Sequence, residues 1–420
     1  MESSRLIVIG GGAAGMVCAI AAAGSGAEVV LLEKMEKPGR KILITGKGRC
    51  NITNKKPWAE FSSHINPNKK FLKHSFHAFS NKDTIDFFES LGLQCNVERG
   101  DRVFPASGKS SSVVEVLVKE MERLKVIQHY NTPVHNLLFE GGVITGVNTS
   151  NGVMNCSAVV VATGGLSYPS TGSQGDGYTL AREAGHTITP LFPSLTALMP
   201  SGFNGEAKGL TLKNIALDLF VGNDLVQHET GDIDFTNNGI EGPLGFRVSR
   251  KAVKAMDNGN RCFLSIDLKP AVGPNELLER VKREIGEFRG NSLFRFLSGY
   301  MPSQIISSFV SDNNLPDLMP DGERREDFAK KICSALKSWK TEIVSYTSYE
   351  RAVVTAGGVC LDEVFPKTMK SRLCDNLFFA GEVLDLDGDT GGYNLQIAFS
   401  TGYRAGVEAA HLTKKWISGE

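Results

Sequence analysis

Gly10, Gly12 and Gly15 stand in G-x-G-x-x-G spacing directly after the apolar run of residues 5–9. An Ala-rich stretch, 16–24, and a second apolar run, 28–32, follow, and Glu33 closes that run 18 residues after Gly15. Strand, glycine turn, helix, strand and acid in this order form the arrangement that receives a dinucleotide. Gly10 permits the tight turn, Gly12 lets a pyrophosphate approach the backbone, and Gly15 lets the helix pack close to the strand. The N–H groups at the helix start face the phosphates. Glu33 can accept both hydroxyls of an adenosine ribose and would repel a 2′-phosphate. The motif therefore reads as an FAD or NAD site rather than an NADP site.

Three further stretches suit a flavin. Residues 159–165 (VVVATGG) end a strand in small residues, so the backbone can pass close to a cofactor. Residues 171–177 (TGSQGDG) precede helical spacing over 178–184, with Asp176 placed to cap that helix. Residues 377–382 (LFFAGE) run into an acidic loop, the twin glycines Gly391 and Gly392, and a helix from about Leu395. A helix start there would stabilise the negative charge of reduced flavin and raise its potential. Gly392 would let the backbone lie against the ring. Asp385, Asp387 and Asp389 resemble the start of a calcium loop, but Thr390 and Gln396 occupy its glycine and glutamate positions, so no metal site is expected.

Hydride transfer often needs one proton donor. Tyr168, Tyr393 and Glu241 are the catalytic candidates; the alternatives are packed aromatics for the tyrosines and a solvated loop carboxylate for Glu241. Cys50 could form a flavin adduct or simply fill a tight loop. His186 reads as structural. Only one G-x-G-x-x-G is present. Either NAD(P)H visits transiently as electron donor, or another reductant serves, or the substrate supplies the electrons.

The chain has 420 residues, enough for about two or three domains. Lysine plus arginine number 46, as do aspartate plus glutamate, which argues against nucleic acid or membrane as a partner of the whole molecule. Locally the balance differs: residues 34–73 hold eleven basic side chains and only the acids Glu36 and Glu60. That region is a solvated loop with phosphate contacts or a landing site for a polyanion. The eight cysteines form no C-x-x-C, which fits reduced thiols in a cytoplasmic protein. Residues 6–32 are apolar, but their glycines and Glu28 fit a β-α-β unit better than a membrane span, and a secretory signal is not expected.

Periodicity predicts helices near 82–91 and 110–124, then a three-stranded meander over 134–156 and a buried strand at 158–162. Strands are expected at 210–221, 225–235 and 262–268, helices at 277–288, 303–309 and 325–339, and β structure at 342–354. Residues 40–54 read as a loop. The expectation is an α/β fold: a discontinuous FAD-binding domain (1–191 and 345–420), a β-rich insertion on the substrate side (192–272) and a helical insertion (273–344).

The motifs GGGAAG at Gly10, LLEKMEKPGRKILITGKGRCNITN at Leu31, VVVATGGLSYPSTGSQGDGY at Val159 and LFFAGEVLDLDGDTGGYNLQIAFSTGYRAG at Leu377 resemble the BaiN/RdsA-like (YhiN-type) flavoprotein family, also labelled aminoacetone-oxidase-like. With the layout between them they span nearly the whole chain. The resemblance implies FAD on a two-dinucleotide-binding-type, Rossmann-like fold with a β-barrel-like insertion and a small helical insertion. It implies cofactor contacts at Gly12, Ala14, Gly15, Glu33, Arg40, Lys41 and Gly46, near Val134, at Thr163 and Gly164, at Gly381 and Glu382, and at Asn394, Leu395 and Gln396. Gly10, Lys34 and Gly392 complete the candidate cofactor set. Members of the family are assigned as reducers of conjugated C=C bonds in steroid-like enones and as amine oxidases. In one place the sequence departs: a family F-T-H-x-G-x-S-G-P stretch has Asn237 for the histidine and Glu241 for the serine.

The expected function is FAD-dependent reduction of an activated C=C bond or similar small-molecule acceptor, driven by NAD(P)H. The alternatives are an amine oxidase that makes peroxide and a flavoprotein that binds RNA or another polyanion.

Overall fold

The computed structural model describes residues 5–203, 205–320 and 324–418. Contacts divide the chain into two compact units, residues 1–192 with 353–420 and residues 193–352.

The first unit is built on five parallel strands in the order Leu377–Phe379, Ala158–Val161, Arg5–Ile9, Glu28–Leu32, Ile127–His129. Strands covered on both faces must be apolar along their whole length, and Leu6, Ile7, Val8 and Val159–Val161 are all fully buried. The helix Ala13–Gly24 connects the first two sequence strands and packs against the long C-terminal helix Tyr393–Ser418. That packing is close because of two glycines one turn apart. A Cβ on Gly402 or Gly406 would stand 2.3 Å from the carbonyl oxygens of Ala14 and Cys18 respectively.

The meander forms as read, with strands Val134–Glu140, Val143–Thr149 and Gly152–Asn155. Buried Asn376 ties it to the main sheet. Its amide donates to Ile144 O (2.6 Å) and Ser157 O (2.9 Å) and accepts from Ile144 N (3.0 Å).

Two local expectations give way. Gly175, at φ 86°, is the N-cap of the helix Asp176–Glu183, and Asp176 makes no capping bond because it already lies in the first turn. Residues 40–54 are more than a loop: they contain the short helix Arg40–Ile44, followed by Gly46, Lys47, Gly48 and Cys50 with left-handed φ.

The second unit holds a closed antiparallel barrel. Its strand order is Leu198–Pro200, Gly239–Glu241, Asp224–Thr236, Thr211–Val221, Cys262–Asp267, Trp339–Tyr346. The closing strand comes from beyond the helical segment. The helix expected to reach Trp339 ends at Lys337, and Trp339 opens the strand, with its indole N–H donating to Asp312 at 2.8 Å.

Candidate functional site

A cleft in the first unit is lined from the glycine turn to the start of the C-terminal helix. Gly10, Gly12 and Ala14 line it, with Glu33 and Lys34 just after the second strand. Arg40, Lys41, Val134, Thr163, Gly164 and Glu382 also line it, and Asn394 and Leu395 come from the helix start.

The glycines divide their work. A Cβ on Gly15 would lie 1.8 Å from Gly10 O, so Gly15 is required for helix and strand to touch. Gly10 has φ +104° and sits against the Ala162 carbonyl, where a Cβ would come within 2.6 Å. A Cβ on Gly12 would meet nothing within 4 Å. The fold leaves it bare toward an open space at a helix N-terminus, which is where a pyrophosphate fits.

Glu33 is held by two backbone donors, Gly11 N–H to Oε2 (2.7 Å) and Met35 N–H to Oε1 (2.8 Å). Each oxygen keeps a further lone-pair direction for a ribose hydroxyl. Burial pushes its carboxyl above the ordinary range, and these N–H groups with Lys34 pull the other way. Lys34 pairs with Asp176 and with Gln174 Oε1, fastening the 171–176 loop, whose Thr171, Gly172 and Ser173 also line the cleft. Arg40 donates to Ser170 O (3.1 Å), just ahead of that loop, and pairs with Glu36.

Lys41 Nζ meets Glu382 Oε2 at 2.7 Å, and the other oxygen of Glu382 accepts the Thr355 N–H at 2.8 Å. The hydroxyl of Thr163 is buried without a protein partner, as is the side-chain oxygen of Asn51. Orphaned polar atoms of this kind call for a ligand or water.

Other candidates lie off the cleft. Gly46 belongs to the left-handed turn, Gly381 donates its N–H to Thr401 Oγ1 (2.9 Å), and Gly392 lies against the Thr53 backbone. Gln396 is fully buried. It accepts from Thr53 Oγ1 (2.6 Å) and donates to Phe79 O (3.1 Å) and Ser400 Oγ (2.9 Å), so it anchors the helix to the 53–79 segment.

Of the catalytic candidates, Tyr168 has a left-handed backbone (φ 53°) and is not a lining residue. Tyr393 is 3% exposed, packed between Phe61 and His64. Glu241 belongs to the second unit, where its carboxylate accepts from Thr236 Oγ1 (3.1 Å) and Asn238 Nδ2 (3.3 Å). Cys50 is fully buried, and burial pushes its thiol up to about 12, far from the thiolate an adduct needs.

Sequence reading overlooked His64. Its Nδ1 lies 2.8 Å from Asp389 Oδ2, and its ring stacks on Tyr393 at 4.4 Å between centroids. The only sequence signal was an isolated histidine upstream and an acid in a remote loop. Among the described residues no group of three or more His, Cys, Asp or Glu side chains could hold a metal ion, and no helix is long and apolar enough to cross a membrane.

The model of the HI0933-like protein Rossmann domain family matches residues 4–408. The chain belongs to this family of flavin oxidoreductases. It is 33% identical over 410 residues to the 3-dehydro-bile acid delta(4,6)-reductase of Clostridium scindens, covering 97% of this chain and 99% of that one. It is 29% identical over 404 residues to the ribosomal RNA dihydrouridine synthase of Escherichia coli, covering 96% and 97%. Among solved structures it resembles 3-ketosteroid delta1-dehydrogenase from Sterolibacterium denitrificans in complex with 1,4-androstadiene-3,17-dione (TM-score 0.55, 12% identity, covering 97% of this chain and 100% of that chain). A quinol-fumarate reductase with menaquinol molecules is also similar (TM-score 0.52, 16% identity, covering 99% and 72%). At these identities the two structures speak to the fold alone: a Rossmann-like sheet with an inserted antiparallel barrel.

Proposed function

We propose that this chain binds FAD in the first-unit cleft and saturates a C=C bond conjugated to a carbonyl, with NAD(P)H as a transient electron donor. The observation that carries the cofactor assignment is Gly12, bare toward open space at the start of a helix on the cleft that Glu33 also lines. Glu33 would hold the adenosine ribose, the Gly12–Ala14 turn the pyrophosphate, and the Asn394–Leu395 helix start the ring end. Lys41, neutralised by Glu382, would lie along the middle. When bound, FAD supplies hydride chemistry at N5, and a helix start beside the ring favours its reduced anion.

The reaction class comes from the relatives. Both names, a bile acid delta(4,6)-reductase and a dihydrouridine synthase, describe reduction of a ring C=C bond next to a carbonyl system. The single dinucleotide motif supports a nicotinamide that visits the flavin rather than one held in its own domain.

A second reading, an RNA substrate, has its own support. The helix Lys69–Ala78 buries Phe71, Leu72, Ser75 and Phe76 and exposes Lys69, Lys70, Lys73, His74 and His77, with no acid in it. Half-buried Trp58 stands against Phe76 and His77. Basic side chains beside an aromatic ring are the composition of a single-strand binding surface.

Anaerobic stopped-flow absorbance near 450 nm, with NADH, NADPH and small amines mixed separately, tests the reading. Bleaching by a nicotinamide, followed by reoxidation with 4-androstene-3,17-dione or a uridine-rich oligonucleotide, supports it and tells the two substrate classes apart. Bleaching only by an amine, with peroxide on reoxidation in air, would replace it with an amine oxidase.

A further inference from the structure

The reduction proposed above needs a proton as well as a hydride, and most of the charged residues that line the cleft are already paired; Lys37, also on the cleft, is exposed to solvent. Lys34, Arg40, Lys41 and Glu382 are committed to ion pairs, and Glu33 is held by backbone N–H groups. The tyrosine nearest the helix start, Tyr393, is sealed between Phe61 and His64.

His64 is differently placed. The short strands Ile65–Asn66 and Asp387–Gly388 pair antiparallel, and Asp389 N donates to His64 O at 3.0 Å. The same two residues meet again through their side chains, Nδ1 to Oδ2 at 2.8 Å, and the imidazole is stacked on Tyr393. The ring is thus fixed by a backbone bond, a carboxylate and an aromatic face.

The loop that carries Asp389 is fixed to the cleft. Leu386 and Asn394, on either side of it, are both lining residues. Asn394 accepts from Gly388 N (2.8 Å) and donates to Gly388 O (2.6 Å) and Asp389 O (3.2 Å). The imidazole keeps about a quarter of its side-chain surface exposed, whereas Tyr393 is 3% exposed.

We propose that His64, oriented by Asp389 and Tyr393, is the proton donor that completes C=C reduction, an inference that rests on the reaction proposed above. The alkene carbon β to the carbonyl receives the hydride, and the π pair shifts onto the α carbon. The Nε2–H bond of the imidazolium then breaks as the new C–H bond forms at that carbon. The alkene gains two electrons, the flavin cofactor is oxidised by two, and water returns the proton to Nε2. Throughout, Nδ1–H stays bonded to Asp389, which holds the positive charge before transfer and the correct tautomer after it.

The test uses the FAD-loaded protein, reduced anaerobically with dithionite and mixed with 4-androstene-3,17-dione or a uridine-rich oligonucleotide. His64→Gln, and His64→Phe which keeps the stack on Tyr393, should slow reoxidation by whichever probe the wild type accepts by about 100-fold or more. Reoxidation by oxygen, FAD content and melting temperature should stay at wild-type values. In D2O the wild type should place deuterium at the α carbon on one face, and both variants should lose that face preference. Wild-type rates and facial labelling in the variants would overturn the role of His64 while leaving the reductase reading intact. If neither probe reoxidises the wild type, the reductase reading fails and this inference falls with it.

Discussion

Lys41 and Glu382 form an ion pair of 2.7 Å between a helix just after the second strand and the turn just after the last strand of the sheet. Each side chain is about one-fifth exposed (22% and 20%), so the pair lies between surface and core. The Thr355 N–H completes the carboxylate. Lys41→Met should leave Glu382 under-compensated and cost about 1–2 kcal/mol in chemical denaturation, between the values of exposed and buried pairs. Adding Glu382→Gln should recover part of that loss. Additive losses in the double variant would show that the two side chains act independently.

Gly12 and Gly15 should separate folding from cofactor binding. Gly15→Ala places a methyl group 1.8 Å from Gly10 O, so soluble folded protein should be lost or its melting temperature should fall sharply. Gly12→Ala meets nothing in the protein and has an ordinary φ of −80°. Its cost to the cofactor-free protein should stay within about 1 kcal/mol, the scale of a changed N-cap. FAD affinity, read by quenching of flavin fluorescence, should fall at least 10-fold. Unchanged affinity would remove the pyrophosphate from that turn.

The contrast between these two sites shows which information is local. The first β-α-β unit was legible because Gly10, Gly12, Gly15 and Glu33 act within one short segment, and strand burial writes itself as the runs 5–9 and 28–32. The meander was legible for the same reason, with turns marked by Gly141-Gly142 and Asn151-Gly152. What escaped depends on contacts between distant segments. Nothing near His64 announces Asp389, and nothing near Gln396 announces Thr53 or Phe79. The left-handed backbone of Lys47 and Cys50 is imposed by the surrounding loop rather than by residue preference. Helical spacing among the apolar residues carries through to Trp339 in the sequence, whereas pairing with Cys262–Asp267 makes it the start of a strand.

His186 predicts how acid weakens the first unit. Its side chain is fully buried, with Nε2 at 2.7 Å from Ser371 Oγ. That hydroxyl already accepts the N–H groups of Leu373 and Cys374, both at 2.9 Å, so its own proton goes to Nε2. A second proton on the ring would face a filled acceptor. Burial lowers the His186 pKa below 6.5, outweighing the opposite pull of Glu363. The fold therefore favours the neutral ring, and the unfolded chain binds more protons between 6.5 and the lower folded value. Stability should fall as pH drops through 6.5 and go on falling until the folded value is passed. Burial would raise the Glu363 carboxyl, but the Thr187 N–H and His186 hold it below its ordinary 4.5, so its contribution is lost at lower pH in the same direction. Urea midpoints at pH 7.5, 6.0 and 5.0 should decline in the wild type and decline less in His186→Asn. Parallel declines would assign the acid sensitivity elsewhere.

The helix Lys69–Ala78 offers the clearest separation of the two substrate classes. Its polar face presents Lys69, Lys70 and Lys73, while Phe71, Leu72 and Phe76 hold it against the core. Replacing all three lysines by alanine removes charge without touching a buried contact, so the melting temperature should change little. If RNA docks here, each lost phosphate contact should reduce the slope of log affinity against log salt by about 0.7, or about 2 for the triple variant. Binding of a uridine-rich oligonucleotide, followed by fluorescence anisotropy across a salt series, reads that slope directly. Reoxidation by the steroid enone should be unaffected, because a neutral ligand releases no counterions. A wild type with no salt-dependent RNA binding would leave the basic helix as a solvated face and the small enone as the working substrate class.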